Sequence, residues 1–117
     1  MKDLPDKIEP LLPLPPAAFH ILVTLSAGDR HGYGIILDVE ERTGGSVRLS
    51  PGTLYRTIQR LLEDGLIEEP RGAALADPRR RPYRITELGR QVARAEALRL
   101  EDLVRHARGA GLLLEGA

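Results

Sequence analysis

The most constraining feature of this sequence is the segment from Ser50 to Asp64, which carries the signals of a short, well-defined helix. Ser50 is a favoured N-cap residue, and Pro51 follows at the first helical position, where proline is tolerated. The apolar side chains recur at helical spacing and form one stripe, made of Leu54, Ile58, Leu61 and Leu62. At about 100° per residue, the opposite face carries Gly52, Arg56, Gln59, Arg60 and Glu63. We therefore predict a helix with an apolar back and a polar, cationic front.

Two further helices are predicted before this segment. The first 16 residues are rich in proline, so residues 1–13 are predicted to form an extended arm. The next helix begins within these prolines, ends at Gly28 and carries an apolar stripe of Ala18, Ile21, Leu22 and Leu25. Another helix runs from Tyr33 to about Thr43 and is ended by two glycines. Residues 46–49 alternate between polar and apolar, which predicts a very short strand.

A β-hairpin is predicted after the central helix. Its strands are residues 66–69 and 81–85, and a long loop over residues 70–80 joins them. Pro82 has no N–H to donate to a neighbouring strand, so it predicts that its strand lies at the edge of the sheet. The end of the loop is basic, with Arg79, Arg80 and Arg81 in succession.

The last predicted helix is capped by Thr86 and runs to about Arg108. About 22 residues at 1.5 Å each span roughly 33 Å, more than a small domain needs for its own core. Its apolar residues cover more than one face, so we predict that it pairs with a second copy of the chain. The predicted dimer contacts are Leu88, Val92, Ala93, Ala97, Leu100, Leu103, Val104 and Ala107.

The order of these elements predicts a mostly α fold with a small β-hairpin, namely a winged helix-turn-helix plus a C-terminal dimerisation helix. A chain of 117 residues suits one hydrophobic core. We expect an N-terminal arm over residues 1–13 and a winged helix-turn-helix domain over 14–86. The dimerisation helix then covers 87–108, and a tail covers 109–117.

The charges are distributed unevenly although the formal net charge is zero. Residues 1–41 carry three basic and seven acidic side chains, whereas residues 42–84 carry nine basic and five acidic ones. All nine of these basic residues are arginines, whose guanidinium groups match phosphates and guanine edges. The distribution therefore favours a nucleic-acid partner for the middle of the chain.

Several other functions are excluded or disfavoured by composition. The chain has no cysteine, which excludes disulfides, thiolate metal sites and cysteine nucleophiles. Its three histidines lie far apart without ligand spacing, and no catalytic constellation is recognisable, so we predict no enzyme, no metal and no cofactor. The apolar runs are far shorter than the roughly 18 residues of a membrane span, and the N-terminus mixes charges with proline. We expect a cytoplasmic protein with no membrane contact.

The central helix has the shape and chemistry to enter the major groove of DNA, which is about 12 Å wide. A basic wing commonly lies along the backbone or in the minor groove. We predict sequence-specific binding of double-stranded DNA through Ser50, Thr53, Tyr55, Arg56, Gln59, Arg60, Arg79, Arg80 and Arg81. The alternative is a winged-helix protein-interaction module without DNA binding, which internal pairing of Arg56 and Arg60 with Glu63 or Asp64 would favour.

Four stretches resemble the PadR family of bacterial transcriptional regulators over about residues 14–108. They are His31-Gly32-Tyr33, Leu49-Ser50-Pro51-Gly52-Thr53-Leu54-Tyr55, residues 60–67 and residues 83–89. The resemblance implies a winged-helix domain, a C-terminal dimerisation helix and, usually, repression by a homodimer at a palindromic operator. It also implies DNA contacts by Ser50, Pro51, Thr53 and Tyr55.

The sequence departs from the family pattern in two places. Arg56 and Thr57 stand where the family often has Pro-Ala, so we expect a different base preference. Gly34 stands where the family often has a long side chain, and it should loosen the start of its helix by up to about 1 kcal/mol. The chain has no Trp and one Phe, which argues against an aromatic-stacking effector site, and the sequence identifies no effector.

Overall fold

The computed structural model describes residues 6–71, 77 and 80–114, and it confirms a winged-helix fold with an additional C-terminal helix. The elements of this part of the chain are α1 Pro16–Ser26, β1 Arg30–His31, α2 Gly32–Arg42, α3 Pro51–Glu63, β2 Ile67–Glu68, β3 Pro82–Ile85 and α4 Glu87–Gly109. No described helix is long and apolar enough to cross a membrane.

Side chains at the N-cap positions fix where three of the helices begin. Ser50 Oγ accepts a hydrogen bond from the Thr53 amide at 3.1 Å, and Thr86 Oγ1 accepts one from the Gly89 amide at 3.0 Å. Both caps were predicted from the sequence. The cap of α2 is His31, whose Nδ1 accepts from the Gly34 amide at 3.2 Å.

The core lies between α1, α2 and α3 and is closed by the sheet and the first half of α4. The predicted stripe of α1 is buried, as are Leu54, Ile58 and Leu61 of α3, while Leu62 is partly buried. Val92 of α4 completes the core and is fully buried. Packing against α1 and α2 therefore holds α3 in a fixed position.

The sheet has three strands in the order β1-β3-β2, with both neighbours antiparallel to β3. The prediction that Pro82 marks an edge strand is therefore wrong, because β3 is the central strand. Pro82 is tolerated there since it occupies the first position of the strand, opposite His31 in β1. β1 was not predicted, because its two residues carry no periodic pattern.

The short strand predicted over residues 46–49 is also wrong, since this segment forms no strand in the described structure. The amide of Val47 donates to the Thr43 side-chain hydroxyl at 3.1 Å instead of to a neighbouring strand. The polar–apolar alternation reflects burial of Leu49 beside an exposed Arg48. The segment therefore links α2 to α3 without joining the sheet.

The N-terminal segment differs from the predicted extended arm where the structure describes it. Glu9–Leu11 forms a 3₁₀ turn, and Ile8 is buried in the core. The Leu14 amide donates to Glu96 Oε1 of α4 at 3.3 Å. Residues 8–14 therefore pack against the domain, because Ile8 and Leu14 supply apolar side chains that the proline count does not reveal.

The two halves of α4 have different surroundings. Gly89 lies so close to the Leu66 carbonyl that a Cβ there would collide with it, so the start of α4 packs tightly against the residue that precedes β2. The second half extends beyond the domain and leaves Leu98, Leu103 and Val104 exposed. The molecule accordingly measures 53 × 35 × 22 Å.

Candidate nucleic-acid interface

One side of α3 packs into the core, which leaves the opposite side, its front, facing solvent. Leu54, Ile58 and Leu61 point into the core, which fixes the rotation of the helix about its axis. The opposite side presents Gly52, Tyr55, Arg56, Gln59 and Arg60 to solvent. The amphipathic division predicted from the sequence is therefore present in the structure.

The N-terminus of α3 presents the hydroxyl groups of Ser50 and Thr53 beside the first turn of the helix. Ser50 Oγ lies 3.1 Å from Thr53 Oγ1, and Ser50 and Pro51 are exposed while Thr53 is half-buried. A helix N-terminus carries a partial positive charge, so this end of α3 suits a phosphate group.

Tyr55 is half-exposed, and its ring lies across Gly32 at the start of α2. A Cβ added at Gly32 would lie 2.5 Å from the Tyr55 hydroxyl oxygen. Gly32 thus allows Tyr55 to bridge α2 and α3 at the surface. The sequence showed Gly32 only as part of a family motif, because nothing in its local pattern indicates a contact 23 positions away.

The two arginines of α3 have different partners. Arg56 is exposed, reaches Thr53 Oγ1 at 3.5 Å and has no carboxylate partner among the described residues. Arg60 Nε contacts Asp64 Oδ2 at 3.3 Å. This pair is one of those that would favour the protein-interaction alternative, but the Arg60 side chain stays largely exposed, and the pair leaves Arg56 uncompensated.

The three arginines predicted for the wing are not equivalent. Arg79 lies outside the described residues. Arg80 is exposed, and its amide donates to the Asp77 carbonyl at 2.7 Å. Arg81 is half-buried and pairs with Glu69 at 3.3 Å across the hairpin, so its charge is already partly balanced.

A further arginine, which the sequence did not single out, ties the base of the wing to the helices. Arg84 of β3 donates to both carboxylate oxygens of Asp29, with the shortest contact at 2.8 Å. These hydrogen bonds raise the pKa of Arg84 above its ordinary value. Asp29 directly precedes β1, so the pair fixes the wing relative to the turn before α2.

The α1–α2 packing is fixed by a second polar cluster. Asp38 accepts hydrogen bonds from the Thr24 hydroxyl at 2.7 Å and from Arg42 Nε at 2.9 Å. These two bonds hold the pKa of Asp38 below its ordinary value. The cluster joins α1 to α2, which in turn packs against α3.

The predicted dimer contacts separate into core and surface. Val92 is fully buried in its own chain, so it has no surface for a second copy, which corrects the prediction for this position. Leu88 and Ala93 pack partly against the same core. The exposed or half-exposed positions of the predicted set are Ala97, Leu100, Leu103, Val104 and Ala107.

A family model described as the transcriptional regulator PadR-like family matches residues 21–95, which is more than half of the chain. The chain belongs to the PadR-like family of transcriptional regulators. It is therefore a DNA-binding transcriptional regulator and not an enzyme, as the sequence predicted.

Two relatives show how far the similarity extends. The transcriptional regulator Rv3488 of Mycobacterium tuberculosis is 38% identical over 95 residues, which are 80% of this chain and 85% of that protein. An uncharacterised protein of Lysinibacillus sphaericus is 37% identical over 70 residues, 60% of this chain. The match spans 64% of the length of the latter.

Solved structures share the fold. A transcriptional regulator from Clostridium thermocellum has a TM-score of 0.69 at 27% identity, covering 80% of this chain and 87% of its own. A PadR family transcription regulator from Clostridium difficile R20291 has a TM-score of 0.67 at 23% identity, covering 81% and 97%. The winged-helix fold predicted from the sequence is thus that of PadR-like regulators.

Proposed function

We propose that this chain is a repressor that binds a palindromic operator as a homodimer. The observation that carries the proposal is the exposed, cationic front of α3, held in place by the burial of Leu54, Ile58 and Leu61 on its back. A repressor of this kind occupies its operator and thereby excludes other proteins from the same stretch of duplex. Its affinity must come from two chains acting together, since one small domain makes few contacts.

The proposed DNA contacts are of two kinds. Ser50, Pro51, Thr53 and Tyr55 face a phosphate at the N-terminus of α3, while Arg56, Gln59 and Arg60 face base edges. Arg79, Arg80 and Arg81 belong to the wing and would follow the backbone or minor groove. Because Arg81 already pairs with Glu69, we assign the larger wing contribution to Arg80.

The proposed dimer uses the distal half of α4. Leu103 is 50% exposed and Val104 39%, and at about 100° per residue both lie within about 60° of the predicted contact Leu100 on the helix surface. Such a cluster of exposed leucine and valine marks a surface that another protein covers. A two-fold axis through paired α4 helices would place two α3 helices on one side of the assembly, which suits a palindrome with half-sites about one helical turn apart.

The test begins with selection of bound duplexes from a random pool, which should yield two inverted half-sites. Affinity for the selected duplex is then measured against salt concentration. If a dimer neutralises about eight to ten phosphates, log Kd should change with log salt with a slope of magnitude about 7 to 9. A slope near zero, or no enrichment of any sequence, would contradict operator binding.

Repression itself needs a separate measurement. A reporter promoter carrying the selected site should lose expression when the chain is produced, and recover it when one half-site is scrambled. Increased expression from the intact site would identify an activator. Retained repression with a single half-site would contradict the requirement for a dimer.

A further inference from the structure

A groove runs between the N-terminal segment and one side of α3, and the contacts proposed above leave it unfilled. Its volume is about 410 Å³, which is within the range of pockets that hold small molecules. The floor of the groove is apolar and consists of Leu11, Leu14, Ala18, Leu61 and Leu66.

One rim of this groove is cationic. Arg56 and Arg60, one helical turn apart on α3, both line it together with Asp64. Arg60 contacts Asp64 through Nε, whereas Arg56 has no carboxylate partner among the described residues. Two guanidinium groups against one carboxylate leave a net positive rim beside an apolar floor. This combination complements a molecule with an apolar body and an anionic head group.

The opposite wall of the groove is already ordered. Ile8 anchors it in the core, and the Leu14 amide donates to the buried carboxylate of Glu96 at 3.3 Å. Glu96 in turn holds Arg99 through two hydrogen bonds, at 2.8 and 2.7 Å. A wall fixed at both ends needs little ordering when a ligand enters, which favours binding.

We infer that this groove binds a small amphipathic organic acid, with its carboxylate against Arg56 and Arg60 and its apolar body over Leu11 and Leu14. Because the same two arginines are proposed duplex contacts, the acid and DNA compete for them. The acid would thereby release the regulator from its operator. The competition rests on the proposed function, whereas binding of the acid does not.

The first experiment measures binding of octanoate to the full chain by titration calorimetry, with 1-octanol and octylamine as probes of equal chain length. Octanoate should bind at one site per chain. It should bind at least tenfold more tightly than the neutral probe 1-octanol or the cationic probe octylamine. Arg56→Gln should weaken octanoate about tenfold through loss of a charged hydrogen-bond donor. Leu11→Ala should weaken it by a similar factor through loss of apolar contact.

The matched control is Arg48→Gln, since Arg48 is an exposed arginine that does not line this groove. Octanoate affinity should be unchanged in this variant. Equal binding of octanoate and octanol, or an affinity that Arg56→Gln leaves unaltered, would overturn the inference. A folded state of each variant is confirmed by its circular dichroism and melting curve before titration.

The second experiment measures duplex affinity in the presence of octanoate, with sodium acetate at equal concentration to match ionic strength. Octanoate at ten times its own Kd should raise the apparent Kd about elevenfold at each half-site, and therefore about 120-fold for the selected duplex, which two chains bind together. Leu11→Ala should bind duplex normally without octanoate and need about tenfold more octanoate for the same release.

The outcomes separate the two proposals. Duplex binding without octanoate binding overturns the groove and supports the proposed function. Octanoate binding by a chain that binds no duplex supports the groove and contradicts the proposed function. Octanoate binding that leaves duplex affinity unchanged overturns the competition at Arg56 and Arg60.

Discussion

The front of α3 and the distal half of α4 are both exposed helix surfaces, but their chemistry is opposite. The front of α3 presents arginine, glutamine and hydroxyl groups around Arg56. The distal half of α4 presents Leu98, Leu103 and Val104. The front of α3 faces solvent because the other side of α3 is buried, whereas the distal half of α4 is exposed because it extends beyond the domain. The front of α3 is polar enough to remain hydrated, but exposed leucine and valine side chains are unfavourable in water.

This contrast indicates which partner each surface fits. A hydrated cationic surface exchanges its counterions and water for phosphates and base edges without needing an apolar partner. An exposed apolar surface is stabilised most when another apolar surface covers it and removes it from water. The two helices therefore divide the work of a regulator: α3 contacts DNA and α4 joins two copies. This division is the central claim of the account, and the following variants test it.

The largest effect is expected when the apolar surface of α4 becomes charged. The double variant Leu103→Glu and Val104→Glu should be monomeric, and its duplex affinity should fall more than a hundredfold because the two half-sites are no longer bound together. Sedimentation equilibrium measures the mass, and fluorescence anisotropy measures the affinity.

The matched control for that variant is Leu37→Glu. Leu37 lies on α2 and is 49% exposed, almost the same as the 50% of Leu103. This control should retain the mass of a dimer. If it also dissociates the dimer, or if the double variant remains dimeric, α4 is not the surface that joins the two copies.

A smaller effect is expected when the front of α3 loses charge. Arg56→Ala should cost about 1 kcal/mol of binding at each half-site, or about thirtyfold in affinity for the full operator. It should also relax the base preference at one position of each half-site. The oligomeric state should not change, because Arg56 lies on α3 and the proposed dimer contacts lie on α4.

Arg105→Ala is the comparison for this variant, since Arg105 lies on α4, is largely exposed and pairs with Asp102 on its own helix. It should leave duplex affinity nearly unchanged. Equal losses in the Arg56 and Arg105 variants would show that total charge, rather than the front of α3, determines DNA binding.

A still smaller effect is expected from the N-cap of α3. Ser50→Ala removes the acceptor of the Thr53 amide and should lower the free energy of unfolding by about 1 kcal/mol. Ser50→Asp should restore most of this stability, because aspartate also caps helices, while weakening duplex affinity through repulsion of phosphate. Urea denaturation and duplex titration measure the two quantities. Full duplex affinity in Ser50→Asp would contradict a phosphate at this end of α3.

The smallest effect concerns the point where the buried and exposed halves of α4 meet. Hydrogen bonds from Arg99 and from the Leu14 amide hold the pKa of Glu96 below its ordinary value. A lowered folded-state pKa gives stability that is present above the unfolded pKa, near 4.5, and lost as pH falls through the folded value. Wild-type stability should therefore fall in this acidic range, and Glu96→Gln should show a weaker dependence there. If the urea midpoint changed with pH in the same way in both proteins, ionisation of Glu96 would not contribute to the pH dependence of stability.

The sequence was sufficient to predict the four helices and the amphipathic division of α3, because these depend on local spacing and capping. β1 was missed because Arg30 and His31 become a strand only by pairing with residues more than 50 positions away. Which apolar face of α4 packs against its own core is likewise decided by distant residues, so Val92 was misassigned.

The candidate interface was predictable to a similar extent. The periodicity of α3 identified the exposed arginines of that helix. In the wing, no local pattern distinguishes Arg80 from Arg81. That difference arises from Glu69, which directly follows β2 and pairs with Arg81. The contact of Tyr55 with Gly32 and the pairing of Arg84 with Asp29 also join residues distant in sequence.

The most direct test of the division between α3 and α4 is to follow the amide NMR signals of the isotope-labelled chain during titration with its selected duplex. The account predicts that the largest shifts occur over residues 50–60 and at Arg80. Residues 98–107 should change little, because they already lie between the two copies before DNA is added. Shifts concentrated in residues 98–107, with residues 50–60 unmoved, would contradict the account.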